Sequence, residues 1–247
     1  MSEFCFERLS VIIYIVIKSV YIMAVNHIAL DIETIPAKPL EDYSDNIREK
    51  VLEKVGKLQE KNPDFDYDNF ASIHGDFGKI ICISLAYVAE DETIRLKSIY
   101  GDDEYQILQE FNNISEKHQG IYIHYNGLNF DIPFILQRMS HHGIAPADPR
   151  FSNLRRFSTD PHFDVMMNYY NWDMQKVLPL GILAELHGLP SPKEELSGEK
   201  VFAAYKKGEW EKIVHYCEFD TATTLNLWRK LFLYKPIIPL NRINFTK

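Results

Sequence analysis

An α/β fold, a mixed β-sheet flanked by α-helices, is what this chain predicts, and three observations carry that expectation. Runs rich in β-branched residues concentrate between residues 27 and 125, bounded by Gly and Asn-Gly turn signals. Helical patterns alternate with these runs and then dominate beyond Pro161, the order expected of strands and helices sharing one core. The chain has 247 residues, 46% hydrophobic and 25% charged, enough to bury a substantial core without disulfides or structural metals.

Taken in order, His27-Ile-Ala-Leu-Asp31 reads as a short buried strand running straight into Ile32-Glu33-Thr34. Residues 37–76 are polar and charge-rich, with a helical stretch around 47–59, and read as an insertion over one face. Residues 79–88 form the clearest strand, introduced by Gly75 and Gly78 and dense in Ile and Val. Residues 93–100 read as its hairpin partner across the polar turn 89–92. Asp102 or Asp103 can cap a helix that extends through Glu116. Residues 120–125 make the next strand, ended by Asn126-Gly127, and a helix then begins near Asp131 and stops at Gly143. Further helices are expected over 179–187, 199–206 and about 209–233. The last carries Ile213, Cys217, Thr221, Leu225 and Trp228 at close to a 3.6-residue period.

Composition constrains the setting. The three cysteines, Cys5, Cys82 and Cys217, are far apart and include no Cys-x-x-Cys pair. They fit neither a disulfide framework nor a zinc ribbon, and they suit a reducing, cytoplasmic location. The net charge of −8 does not advertise a polyanionic partner. It does not exclude one, because carboxylates gathered around metal ions leave basic residues free to line a groove. The apolar run 11–25 spans 15 residues and contains Lys18, short of the ~20 needed to cross a bilayer. No positive n-region or small-residue cleavage site accompanies it. Residues 1–23 therefore read as a non-native N-terminal extension, with translation starting at Met23 and the domain occupying 24–247; a weak membrane anchor is the lesser reading.

Asp31 and Glu33 lie two apart on a strand, so both carboxylates point to one face. Adjacent buried anions repel at a cost of several kcal/mol, which a divalent cation removes. A solvated strand end before Pro36 is the plain alternative. Asp131 follows Asn126-Gly-Leu-Asn-Phe130, where a helix N-cap or first-turn anion explains an Asp equally well. Phe130 beside it either plugs the core or stacks on a base. Tyr216 and Asp220, four apart on a helix, share a face.

Together Asp31-Ile-Glu33-Thr34, Asn126-Gly-Leu-Asn-Phe-Asp131 and Tyr216-Cys-Glu-Phe-Asp220 resemble the three motifs of the DEDD 3′–5′ exonucleases, in order and separation. With Phe77-Gly-Lys-Ile-Ile, Phe163-Asp164 and the stretch 189–201, the chain looks most similar to stand-alone relatives of the proofreading domain of family B DNA polymerases, over about 26–232. The resemblance implies a ribonuclease-H-like fold. It also implies two Mg²⁺ or Mn²⁺ ions held by Asp31, Glu33, Asp131 and Asp220. Thr34, Asn126 and Phe130 would seat the terminal nucleotide of a single-stranded or 3′-unpaired substrate, DNA before RNA. A polymerase or repair partner would act in trans. An unperturbed tyrosine is a poor base at neutral pH, so Tyr216 is expected to orient the attacking water.

The histidine version of the third motif keeps its His five residues before the Asp, where His215 stands. At about 100° per residue Tyr216 lies about 40° from Asp220 around the helix and His215 about 140°, which favours Tyr216. A non-catalytic nucleic-acid-binding or polymerase-partner module is the second functional reading. Asp164, Lys193 and Lys200 are left without a role, the pair His141-His142 reads as a helix C-terminus favoured by the dipole, and Tyr169-Tyr170 with Trp172 as either a loop plug or a base platform.

Overall fold

The structure, a computed structural model, describes residues 27–190 and 196–246. The expectations for residues 1–23 and for Lys193 lie outside these residues.

The first strand is one continuous element, β1 (His27–Pro36), rather than a short strand with a tail. It pairs antiparallel with β2 (Gly78–Val88), which pairs antiparallel with β3 (Ile94–Tyr100). On its other side β1 runs parallel to β4 (Ile121–His124), and β4 parallel to β5 (His162–Asp164). A two-residue strand, β6 (Ile243–Asn244), closes the far edge and gives the order β5-β4-β1-β2-β3-β6. The C-terminal ends of three parallel strands thus open side by side, the usual place for a site in such a sheet.

Helices cover both faces. Leu30 and Ile32 of β1 pack with Ile107, Leu108 and Phe111 of α3 (Glu104–Lys117) and with Ile132, Ile135 and Met139 of α4 (Asp131–His141). The opposite parity, Ala29 and Ile35, meets α8 (Trp210–Phe232) through Ala222, Leu225, Ile213 and Cys217. The residues between β1 and β2 form α1 (Asp45–Gln59) and α2 (Tyr67–Ser72), joined by Val51, Val55 and Phe70. Three shorter helices, α5 (Val165–Tyr169), α6 (Leu180–Leu186) and α7 (Gly198–Lys206), complete the fold. Lys200, in α7, is exposed.

Two features fix how α4 meets the sheet. A Cβ on Gly78 would come within 2.6 Å of the Ala71 carbonyl oxygen and 2.7 Å of the Phe134 ring, so glycine lets β2 start between α2 and α4. Arg138 of α4 donates to both carboxylate oxygens of Glu104, at 2.9 and 2.7 Å, and to the Gly75 carbonyl at 3.0 Å. His142 also reaches Glu104 at 2.7 Å and His141 reaches Asp76 at 3.0 Å, so both histidines are engaged with carboxylates.

Besides β1, two elements depart from expectation. The region after Pro161 begins with strand β5 before turning helical. Three residues, two of them buried, are too few to show alternation, and only the parallel pairing Tyr122–His162 to His124–Asp164 defines them. Helix α2 is likewise too short for a periodic signal; its start is set by a reciprocal capping box between Asp66 and Asn69. Among the described residues no helix is long and apolar enough to cross a membrane.

Candidate active site

The four predicted carboxylates converge. Asp31 and Glu33 share the face of β1 turned to α8, and the strand register shifts immediately after Glu33, a bulge of the kind that re-aims side chains. Asp131 occupies the first turn of α4, not its cap, and accepts from the Ile32 backbone N–H at 3.2 Å. That bond places the second motif's carboxylate against the peptide lying between Asp31 and Glu33. Asp220 arrives from α8 one turn after Tyr216.

Electrostatics describe one shared anionic pocket. Burial pushes the Asp31 carboxyl well above the usual range, and the charges of Asp131 and Asp220 add to it. Glu33, 6% exposed, is driven up by burial and then by Asp31, Asp220 and Asp131, and among the described residues no hydrogen bond offsets the shift. Asp131 is pushed to about 7 by burial, against the opposing effect of His124 and of backbone amides. Asp220 also rises to about 7 by burial, opposed by its hydrogen bond from Tyr216. Buried carboxylates without cationic partners are high in energy unless protonated or met by a cation.

Tyr216 and His215 separate as the helical geometry predicts. Burial and the facing carboxylates Asp220, Glu33 and Asp31 raise the Tyr216 phenol far above its ordinary value, so it titrates outside any working range. His215 is exposed and packs against Phe245, with ring centroids 4.8 Å apart.

The predicted nucleotide-seating residues are near the pocket but differently engaged. The Thr34 hydroxyl donates to the Ser72 carbonyl at 2.5 Å, tying β1 to α2. Asn126 sits at φ 64°, and its side-chain oxygen accepts from Asn129 at 3.0 Å. Phe130 is half-buried and packs on Phe134, with centroids 5.6 Å apart.

Three further residues belong to the site's structure. Cys217 Sγ lies 3.5 Å from Asp31 Oδ2, and Asp31, Glu33 and Cys217 each offer a ligand atom within 4.8 Å of the others. Its position three residues before Asp220 puts it on the same helix face, a signal already present in the sequence. Asp164 is fully buried and accepts from the amides of Asn126 at 3.0 Å, Leu128 at 3.1 Å and Met167 at 3.1 Å. It therefore caps α5 and holds the turn that delivers Asp131. Burial, which would raise its pKa, is outweighed by His124, 3.4 Å away, and by those amides, leaving it below the usual range. His124 is itself fully buried, under Gly127, where a Cβ would come within 2.5 Å of its ring. Nothing local in the sequence distinguishes His124 from a core residue.

Residues 69–243 match the family described as a predicted 3′–5′ exonuclease related to the exonuclease domain of PolB. No curated protein matches the chain. Among solved structures the chain is similar to the family B DNA polymerase from the hyperthermophilic archaeon Pyrobaculum calidifontis, with a TM-score of 0.56 and 17% identity over 84% of this chain. The chain spans 24% of that polymerase's length, and a likeness at this identity shows a shared fold.

Proposed function

The chain belongs to the family of predicted 3′–5′ exonucleases related to the exonuclease domain of PolB, and on that premise we propose that it removes nucleoside 5′-monophosphates from the 3′ end of a nucleic-acid strand, DNA in preference to RNA. The observation that carries the reading is the convergence of Asp31, Glu33, Asp131 and Asp220 from three separate elements into one pocket where, among the described residues, no lysine or arginine pairs with them.

Exonuclease domains of this kind are metal-dependent, and the donor set fits a divalent cation. Glu33 is buried and, among the described residues, accepts no hydrogen bond, and one ligand atom each from Asp31, Glu33 and Cys217 lies within 4.8 Å of the others. Carboxylate oxygens are the ligands Mg²⁺ and Mn²⁺ prefer. We assign Asp31, Glu33, Asp131 and Asp220 to hold two such ions, which when bound would neutralise the phosphate and acidify the attacking water. The remaining work falls to the chain. Tyr216, whose phenol does not ionise at neutral pH, orients the water through its hydroxyl rather than removing its proton. Asn126 and Phe130, on the turn held by Asp164, flank the terminal nucleotide, with Thr34 at the end of β1 closing its other side. Asp164 and His124 act as positioning residues behind Asp131.

The test is digestion of a 5′-labelled strand with an unpaired 3′ end, with matched DNA and RNA versions, in Mg²⁺ or Mn²⁺. Asp31→Ala, Glu33→Ala, Asp131→Ala and Asp220→Ala are each expected to abolish stepwise shortening and to leave the metal-free fold intact. Wild-type protein that shortens neither strand, or alanine variants that cleave normally, would refute the assignment.

A further inference from the structure

Away from the carboxylates, two aromatic rings meet at the surface, and two exposed arginines directly precede one of them in the chain. Phe157 is 77% exposed, and its ring lies 4.8 Å from that of half-buried Trp172, tilted by 52°. The two come from different loops, before β5 and after α5. Both loops hold them in backbone conformations that side chains disfavour: φ is 62° at Phe157, 49° at Asn171 and 62° at Trp172. Each such residue costs on the order of 1 kcal/mol, and strain of this sort concentrates where function needs it. The Trp172 turn is nevertheless well tied, through Trp172 N–H to the Met167 carbonyl at 2.8 Å and Asp173 N–H to Tyr170 at 3.0 Å.

Arg155 and Arg156 directly precede Phe157, and both are exposed. Among the described residues no carboxylate lies within ion-pair distance of either, although the chain carries 35 acidic residues. An exposed ring packed on a half-buried one, with two exposed arginines adjacent in the chain, suits a ligand that offers flat bases and phosphates together. The place is also linked to the pocket. Trp172 hangs from α5, whose cap is Asp164, and Asp164 holds the Asn126 and Leu128 amides of the turn leading to Asp131.

We propose that Phe157, Trp172, Arg155 and Arg156 form a platform for single-stranded nucleic acid that holds the substrate strand 5′ of the end being cut; the direction of the strand rests on the exonuclease reading, the binding itself does not. The strand lays successive bases on the two rings and its phosphates against the guanidiniums, so that long strands bind better than ones too short to leave the pocket.

The experiment uses the full chain in EDTA, with binding of a fluorescein-labelled 12-mer oligothymidylate and a trimer read by anisotropy. Phe157→Gly, which removes the ring and relieves the positive φ, and Trp172→Ala are each expected to weaken 12-mer binding by about 5- to 100-fold. Trp172→Tyr should largely keep it. The double variant Arg155→Ala/Arg156→Ala should reduce the slope of log affinity against log salt by about 1.4, two phosphate contacts on a single strand. In Mg²⁺, cleavage of the trimer should be unchanged in all of them. Unchanged 12-mer affinity and salt slope in Phe157→Gly and the arginine double variant would overturn the platform, whatever the nuclease activity. Strong, ring-dependent binding by a protein that cleaves nothing would uphold the platform and remove the exonuclease reading instead.

Discussion

Replacing Asp220 by asparagine should stabilise the metal-free protein, and by an amount that depends on pH. The folded state raises the Asp220 carboxyl from 3.8 to about 7. A carboxyl raised on folding prefers its neutral form there, so ionising it opposes folding. Below about pH 4 both folded and unfolded chains are protonated and the opposition vanishes. Between pH 4 and 7 the unfolded chain ionises while the folded one does not, and the cost accumulates. Above pH 7 it is constant at about three pKa units, ~4 kcal/mol at 1.36 kcal/mol per unit. Asparagine keeps the shape and an oxygen that can accept from Tyr216, but carries no charge. For a chain of this size ~4 kcal/mol corresponds to a rise of about 8–16 °C in melting temperature. The assay is thermal unfolding followed by circular dichroism in EDTA at pH 4.5 and pH 8. Asp220→Asn should melt well above wild type at pH 8 and close to it at pH 4.5. Wild-type protein should itself lose stability as pH rises from 4 to 7. Saturating Mg²⁺ should narrow the gap by stabilising wild type by about 2.7 kcal/mol at a hundredfold excess over Kd. A variant that melts lower than wild type in EDTA at pH 8 would mean that Asp220 is a structural carboxylate, not one held in strain for a cation.

Two further outcomes follow from the same geometry. Tyr216→Phe should slow single-turnover cleavage by roughly 10- to 1000-fold, the loss of one polar contact in a transition state, while His215→Ala, removing a ring packed on Phe245, should stay within about twofold; the reverse ranking would move the catalytic helix face. Asp164→Ala strips the acceptor from three backbone N–H groups and should destabilise the fold by about 2–4 kcal/mol, measured by urea unfolding, with unchanged stability showing that the turn before Asp131 is held by other contacts.

Much of this site can be read along the chain because its pieces are local. The two-residue spacing of Asp31 and Glu33 places them on one strand face whatever the rest of the fold does. The four-residue spacing of Tyr216 and Asp220, with His215 off that face, follows from helical geometry, and the helix over Trp210–Phe232 extends far enough on both sides for that geometry to hold. Apart from β1, which runs on to Pro36, the main strands and the longer helices likewise announce themselves through periodicity, within one or two residues at their ends.

What tertiary structure alone decides is where those faces meet. The bond from Ile32 to Asp131 joins residues 99 apart, and the approach of Cys217 to Asp31 joins residues 186 apart. Asp164 and His124 have roles only because β5 lies beside β4, and a three-residue strand leaves no periodic trace. Phe157 and Trp172 come together from two loops whose local sequences do not predict left-handed backbone at an aromatic residue. Side-chain direction is set by local backbone geometry and is therefore written in sequence spacing, whereas convergence depends on packing between distant elements, which spacing does not encode.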